Sequence, residues 1–401
     1  MQGYDELRQD VIDAGLCTIC GACAGVCPRG SIEMHIADYE TDDPEPILKG
    51  ECKPCGVCYA VCPGRDVPLA DLDGYVFGRK RNPDTEPLGI YRQCLKTTTP
   101  SRWVRSGAST GGTATALMTY ALNADIIDAA LIVGRDQEHP WRARPFIATS
   151  AAEVQRGARS VMEMVPVNAL LSEAVLKHGH TRVGVVGLPC QIHGLRKLQL
   201  HGKPPKIAKA VQFCIGLFCN STIYFRGAEH LLKEVGNIPS LSDIQALDYR
   251  AGEWPGQMMV LTTDGKIRFV AAKSTYGTFF SAANYRRDRC LNCIDFSAEL
   301  ADISVGDIFQ LRNTPNPRWS ATIVRTPIGE QLIDGAAEAG LLAIEPHDPT
   351  QILGSGYGWE MSKHASMARL LERKRFGWPV PDFQYPLSIQ IVQREFSFNQ
   401  R

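Results

Sequence analysis

No stretch of 18 consecutive apolar residues occurs in this 401-residue chain, so nothing in it reads as a membrane-spanning helix. Charge of neither sign dominates: Lys+Arg and Asp+Glu both number 43, and the formal net charge is zero. Without a basic excess, no nucleic-acid or other polyanionic partner is expected. The opening residues, MQGYDELRQD, hold no apolar segment of signal length, which sets the expectation of a reducing, cytoplasmic location. Low-complexity tracts are lacking too. Hydrophobic residues still make up 44% of the chain, enough for the cores of two or three domains.

Cysteine, by contrast, is plentiful. There are fourteen, and in a reducing compartment that number speaks for metal rather than disulfides. Eight fall in two segments of one spacing, Cys17-x2-Cys20-x2-Cys23-x3-Cys27-Pro and Cys52-x2-Cys55-x2-Cys58-x3-Cys62-Pro. This is the ligand run of a bacterial ferredoxin with two 4Fe-4S clusters. Three closely spaced thiolates reach three irons of one cube, and the fourth cysteine crosses to the other. On that logic Cys17, Cys20, Cys23 and Cys62 hold one cluster, and Cys52, Cys55, Cys58 and Cys27 the second. Zinc sites or a disulfide framework are the alternatives. Zinc usually takes paired C-x2-C units, and disulfides would require export.

Residues 4–14 place Tyr4, Leu7, Val11 and Ile12 on one helical face, with Gly15 as a C-cap. Between the cysteine runs, a short strand, an acidic turn and a return strand are expected. Residues 63–100 are rich in Pro, Gly and charge and read as a linker. From about 101, apolar strand-like runs (IIDAALIVG, RVGVVGLP, KAVQFCIGLFC) alternate with helical patterns, the signature of an α/β domain. A hairpin around Asp264-Gly265 and a helix over residues 329–340 are also expected.

Four of the remaining cysteines invite a further assignment. Cys290 and Cys293 form a C-x2-C pair, and Cys190 and Cys219 each follow an apolar strand. Together they can serve as a third cluster, with Cys214 as a spare; buried structural thiols explain them equally well on spacing alone. Cys94 reads as an ordinary buried thiol. Residues 105–118, RSGASTGGTATALM, form a Ser/Gly/Thr-rich loop opening into an Ala/Leu helix. Exposed N–H groups at such a start suit a phosphate. The loop is neither G-x-G-x-x-G nor a Walker loop, and alone it reads more readily as a tight helix start.

The order of these pieces is informative: the doubled run, Ser106–Gly112, GLPCQIHGLR around Cys190, GLFC ending at Cys219, Cys290-x2-Cys293 and ADISVGD ending at Asp307. It resembles the beta-subunit family of coenzyme F420-reducing hydrogenases and dehydrogenases over most of residues 5–310. The resemblance implies an iron–sulfur flavoprotein: an N-terminal ferredoxin-like domain with linker (1–95), a mixed α/β FAD-binding domain with a third 4Fe-4S cluster at Cys190, Cys219, Cys290 and Cys293 (96–345), and a helical C-terminal extension (346–401). It implies a hydride exchanged with coenzyme F420 or another two-electron substrate, and electrons passed singly through FAD and three clusters to a partner protein or larger redox complex. On this reading Ser106, Gly107, Ser109, Thr110, Gly111 and Gly112 contact the flavin. Arg135 is a candidate for an anionic group, with an ion pair as its plainer role. His193 is expected to pack or to support a ligand, and Asp307 to anchor a loop or cap a helix.

One departure stands out. Where many relatives carry Ser-Lys-Tyr, this chain has Arg159-Ser160-Val161-Met162, which bears on the two-electron substrate. Two alternatives therefore stay open: a ferredoxin-driven reductase of an organic substrate such as a tetrapyrrole, or a non-catalytic electron-transfer subunit. Arg369, Arg373, Lys374 and Arg375 are candidates for docking an acidic partner, with a solvated helix face as the plainer reading.

Overall fold

The computed structural model describes residues 3–252, 256–270, 285–308, 318–353 and 359–386. The strands in chain order are β1 (Ile32–His35), β2 (Glu45–Leu48), β3 (Gln93–Thr98), β4 (Ala129–Arg135), β5 (Ala143–Ala148), β6 (Val183–Gly187), β7 (Val211–Leu217), β8 (Ile244–Ala251), β9 (Gln257–Thr262), β10 (Ile267–Phe269), β11 (Ile303–Asp307), β12 (Ser320–Val324) and β13 (Ala343–Pro346).

Eight of these form one sheet in the order β13-β3-β12-β11-β7-β6-β4-β5. Its centre, β11-β7-β6-β4, is parallel, and antiparallel strands close both sides. Central parallel strands are buried on both faces, and side chains alternate between the two. From β4, Leu131 and Val133 enter the core that holds the Pro189–His201 helix, while Ala130 and Ile132 enter the one shared by the Thr113–Asn123 and Pro327–Glu338 helices. A separate meander, β8-β9-β10, packs Tyr249, Met258 and Val260 against Phe225, Leu231 and Leu232. The expected hairpin is β9–β10, turning at Gly265 with φ +79°.

The N-terminal region has a core of its own, with Tyr4, Leu7, Val11, Leu16 and Tyr59 buried. The helical face expected over residues 4–14 is present, as Tyr4–Leu7 followed by a wider turn over Arg8–Ile12. Between the cysteine runs, β1 and β2 form the expected antiparallel pair. Each run continues into a short helix, Ala22–Val26 or Val57–Ala60, entered through a left-handed glycine, Gly21 (φ +81°) or Gly56 (φ +78°). This region is docked rather than tethered. A Cβ on Gly25 would lie 1.9 Å from the Asn168 carbonyl oxygen, and the Asn168 amide donates to the Cys20 carbonyl at 3.3 Å.

Residues 63–100 are not a linker. They hold a helix at Leu69–Phe77 and strand β3, which pairs with both β12 and β13. Leu69 and Leu72 anchor the helix in the core, and its buried Asp73 meets Arg81 at 2.7 Å. At the C-terminal end, a helix spans Trp359–Arg375, and its Lys363 pairs with buried Glu299 at 2.8 Å. No helix among the described residues is long and apolar enough to cross a membrane.

Candidate functional site

The topology itself collects cysteines. β6 and β7 are parallel neighbours, so their C-terminal ends lie side by side. Cys190 stands in the first turn of the Pro189–His201 helix just after β6, and Cys219 just after β7. The Cys219 amide donates to the Phe296 carbonyl at 2.9 Å, which draws the Cys290–Cys293 loop onto the same edge. The four thiols register one another. Burial pushes Cys219 well above the ordinary thiol range, and Cys290 and Cys293 add to the rise. At Cys190, also raised first by burial, the neighbours are Cys20, Cys219, Cys290 and Cys293.

The presence of Cys20 there matters, because it belongs to the N-terminal region. Gly194, one turn along from Cys190, lets the two regions approach; a Cβ at this position would sit 3.6 Å from the Cys20 Sγ. Burial raises Cys17 to about 12 and Cys20 to about 11, with Cys62 contributing to both. Cys23, raised well above its ordinary value by burial, feels Cys20, Cys17, Cys62 and Cys58. Cys58, up to about 12, is affected first by burial and then by Cys55, Cys27 and Cys52. Cys62 is thus grouped with the first run and Cys27 with the second. All fourteen cysteines are free. Among the described residues, no three His, Cys, Asp or Glu side chains are arranged to hold one metal ion, as four sulfurs about 2.3 Å from a single zinc would be.

Backbone amides already point at sulfur. Ile19 N–H donates to Cys17 Sγ at 3.4 Å and Ser31 N–H to Cys27 Sγ at 3.3 Å. Near the group containing Cys190, buried His193 meets the Asp295 carboxylate at 2.8 Å. Burial opposes the Asp295 charge, but the His193 hydrogen bond and charge outweigh it and lower its pKa. His193 therefore supports the loop that carries Cys293. Cys214 lies apart from this group, fully buried on β7, its amide bonded to Asp302 at 2.7 Å. Cys94 is a buried thiol on β3.

Beside the four thiols opens a cavity of about 430 Å³. It lies off the carboxyl ends of β4, β6, β7 and β11, where open α/β sheets place their ligands, and its volume is within the ~300–1,000 Å³ of small-molecule pockets. Cys219 is part of its wall, with Phe218 and Phe296 next to it, their ring centroids 5.4 Å apart. The Thr113–Asn123 helix aims its start into the cavity. Its N-cap, Gly112, is left-handed (φ +75°), and no side chain caps the helix. Thr113, Ala114 and Thr115 line the cavity, so their first-turn N–H groups face it without intrahelical partners. A Cβ on Gly112 would lie 2.9 Å from the Thr99 methyl group, which together with the positive φ requires glycine here. An uncapped helix start facing a cavity of this size fits the phosphate end of a flavin nucleotide.

Of the expected flavin contacts, Ser109, Thr110 and Gly112 line the cavity. Ser106 and Gly107 do not; they end the preceding Arg102–Gly107 helix, and Ser106 Oγ donates to the Trp103 carbonyl at 2.7 Å. Gly111 braces the loop, its N–H donating to Ser320 Oγ at 3.0 Å. Arg135 is outside the cavity as well. It pairs with buried Glu163 at 3.3 Å and lies 4.8 Å from the Tyr249 ring centroid, so its plainer role holds. Asp307 is in the cavity wall, paired with Arg250 at 3.0 Å.

Sequence reasoning missed Arg250 and the aromatic pair. It reached Arg159–Met162 only as a departure, yet all four of those residues line the cavity. Arg159 has a left-handed backbone, φ +90°, and donates to Asp248. In the C-terminal helix, Arg369 donates to the Leu291 carbonyl at 3.3 Å, Arg373 to the Pro379 carbonyl at 3.2 Å, and Arg375 lies 3.8 Å from Glu372.

Comparison with known proteins gives the family. Residues 9–63 match the 4Fe-4S dicluster domain, residues 96–172 the N-terminal part of the coenzyme F420 hydrogenase/dehydrogenase beta subunit, and residues 180–350 its C-terminal part. A subunit of the F(420)H(2) dehydrogenase of Methanosarcina mazei is 26% identical over 97% of this chain and 96% of its own length. The beta subunit of the coenzyme F420 hydrogenase of Methanosarcina barkeri is 28% identical over 65% of this chain and 83% of its own. A chain of the F420-reducing [NiFe] hydrogenase complex of Methanosarcina barkeri superposes with a TM-score of 0.59 at 26% identity, covering 75% of this chain and 98% of that one. With both parts of the beta subunit matched in order behind a dicluster domain, the chain belongs to the coenzyme F420 hydrogenase/dehydrogenase beta-subunit family.

Proposed function

We propose that this chain is an iron–sulfur flavoprotein subunit that passes electrons between a hydride carrier, coenzyme F420, and a partner protein. The observation that carries the reading is a shared wall: Cys219 borders the cavity, and Cys190 of the same group borders Cys20 of the N-terminal region. Cys190, Cys219, Cys290 and Cys293 would hold a cluster next to the cavity, Cys17, Cys20, Cys23 and Cys62 the next, and Cys52, Cys55, Cys58 and Cys27 the outermost, and the three would supply one-electron carriers in that order. Cys55 is exposed, which gives the last cluster an edge toward a partner. Buried thiols with raised pKa values stay protonated without iron, so loading the clusters releases protons.

FAD, when bound, supplies a centre that accepts two electrons as a hydride and gives them up singly. The chain's own contribution is placement. The Thr113–Asn123 helix start holds the nucleotide phosphates, Ser109 and Thr110 fix the loop beside it, and Phe218 with Phe296 keeps water from the side nearest Cys219. Arg159 and Arg250, held by Asp248 and Asp307, orient the incoming substrate. Anaerobic purification followed by quantification of iron and acid-extracted flavin tests the reading. About twelve irons and one FAD per chain are expected. Iron without flavin would instead support a non-catalytic electron-transfer subunit.

A second reading keeps these centres and changes the substrate. Because Arg159-Ser160-Val161-Met162 stands in the cavity wall, the chain accepts a different organic molecule, such as a tetrapyrrole, reduced with electrons from ferredoxin. A relative in Methanocaldococcus jannaschii named coenzyme F420-dependent sulfite reductase, 27% identical over 82% of this chain and 47% of its own length, favours the first reading. Its name joins dependence on coenzyme F420 to a reduction.

A further inference from the structure

Arg289 is a buried cation without a carboxylate. It is 6% exposed, and no carboxylate among the described residues lies within the 4.0 Å of an ion pair. Its Nε has no hydrogen-bond partner among the described residues. The guanidinium spans two cysteine loops. Nη2 donates to the Pro63 carbonyl, next to Cys62, and Nη1 to the Asn292 carbonyl, next to Cys293, each at 3.4 Å. The Phe383 ring lies on one side, its centroid 5.5 Å away. Burying an unpaired charge costs several kcal/mol (~3–5 when a partner is missing), so a fold that keeps one supplies an anion in another form. Lys197, also beside Cys62, shows the contrast, since it pairs with Asp66 at 2.6 Å. The charge of Arg289 reaches Cys62 and Cys293, one thiol from each of the two cysteine groups.

We propose that Arg289 is a positioning residue for electron transfer whose fixed charge, placed between the Cys290–Cys293 loop and the Cys62 loop, favours the reduced form of both clusters. The inference rests on the cluster assignment of the proposed function and adds to it a residue that sets the potentials of both clusters against the rest of the chain, while leaving the driving force of the step between them unchanged. In that step one electron leaves the core cluster, which is oxidised, and arrives at the first ferredoxin cluster, which is reduced. Arg289 stays charged throughout, and no proton moves on it. The remaining cluster, assigned to Cys27, Cys52, Cys55 and Cys58, lacks such a contact among the described residues.

The test is an EPR-monitored redox titration of the anaerobically purified chain, with mediators and dithionite rather than any substrate, for wild type, Arg289→Gln and Arg289→Lys. Arg289→Gln is expected to disfavour reduction about tenfold, a shift of about 59 mV for a one-electron couple, in two of the three steps and to leave the third in place. Arg289→Lys, which keeps the charge, is expected to stay near wild type. Two unmoved potentials in Arg289→Gln, or equal shifts in Gln and Lys, would overturn the proposal. Iron is counted first. Loss of iron in Gln alone, with wild-type potentials in Lys, supports the charge; loss in both assigns Arg289 to holding the loops together and overturns it. A wild-type chain without iron would overturn the cluster assignment along with it, whereas iron-loaded protein indifferent to Arg289→Gln overturns this inference alone.

Discussion

At the scale of single residues, the account turns on Cys219, which belongs both to a group of four thiols and to the cavity wall. Cys219→Ser is expected to remove about four of about twelve irons while the ferredoxin-type absorption persists. Iron analysis with visible spectroscopy checks it; unchanged iron would leave Cys219 a structural thiol. The eight cysteines of the two N-terminal runs were readable as ligands from their spacing, whereas Cys190, Cys219, Cys290 and Cys293 were grouped only through the family resemblance. Arg135 takes the ion-pair role that was its plainer reading, and folding supplies the partner by bringing Glu163 against it. Arg159 carries no local signal either, since a left-handed φ at arginine follows from the path of the whole segment.

Among the elements, the seam between the N-terminal region and the sheet domain is set by small residues. Gly25 rests on the Asn168 carbonyl, and Gly194 on Ala22 and Cys20. Gly25→Ala is expected to cost about 1–3 kcal/mol through overpacking and to loosen the docked region, read as earlier loss of cluster absorbance on heating. A wild-type melting profile would contradict that. Another seam joins β4 to β6, where Asp128 accepts hydrogen bonds from Thr181 N–H at 3.0 Å and from the Thr181 hydroxyl at 3.1 Å. Burial opposes the carboxylate, but these donors and the Arg182 amide outweigh it and lower its pKa from the ordinary 3.8. A carboxylate with a lowered folded pKa stabilises above its unfolded pKa and loses that contribution as pH falls through the folded one. Asp128→Asn is therefore expected to cost about 1 kcal/mol near neutrality, after allowance for partial exposure. The difference from wild type should shrink as pH drops below about 4; chemical denaturation at pH 7 and pH 3 measures it.

The elements hidden in the sequence were those stabilised by polar groups. β3, QCLKTT, sits inside the sheet, yet Thr97 buries a hydroxyl shared with Thr113 and Thr322 at 2.7 and 2.6 Å. No apolar run announces such a strand. The Leu69–Phe77 helix likewise hides a buried Asp73–Arg81 pair inside a stretch that reads as solvated. The parallel strands β4, β6 and β7, buried on both faces, announced themselves as continuous apolar segments.

For the whole molecule, the account is a wire with a two-electron end and a one-electron end. The cavity lies on one side of the Cys190 group and Cys20 on the other, and Cys55 is exposed, where the proposed function puts the outlet. That order followed from the sequence only through the family resemblance, because distant cysteines meet by topology rather than by spacing. The most direct test is an anaerobic spectroscopic titration of the purified chain with reduced coenzyme F420, with NADPH in parallel. The proposed function requires bleaching of a flavin band followed by cluster reduction with the deazaflavin alone. No response to reduced F420, with flavin reduction by reduced ferredoxin, would contradict it and place the chain with ferredoxin-driven reductases.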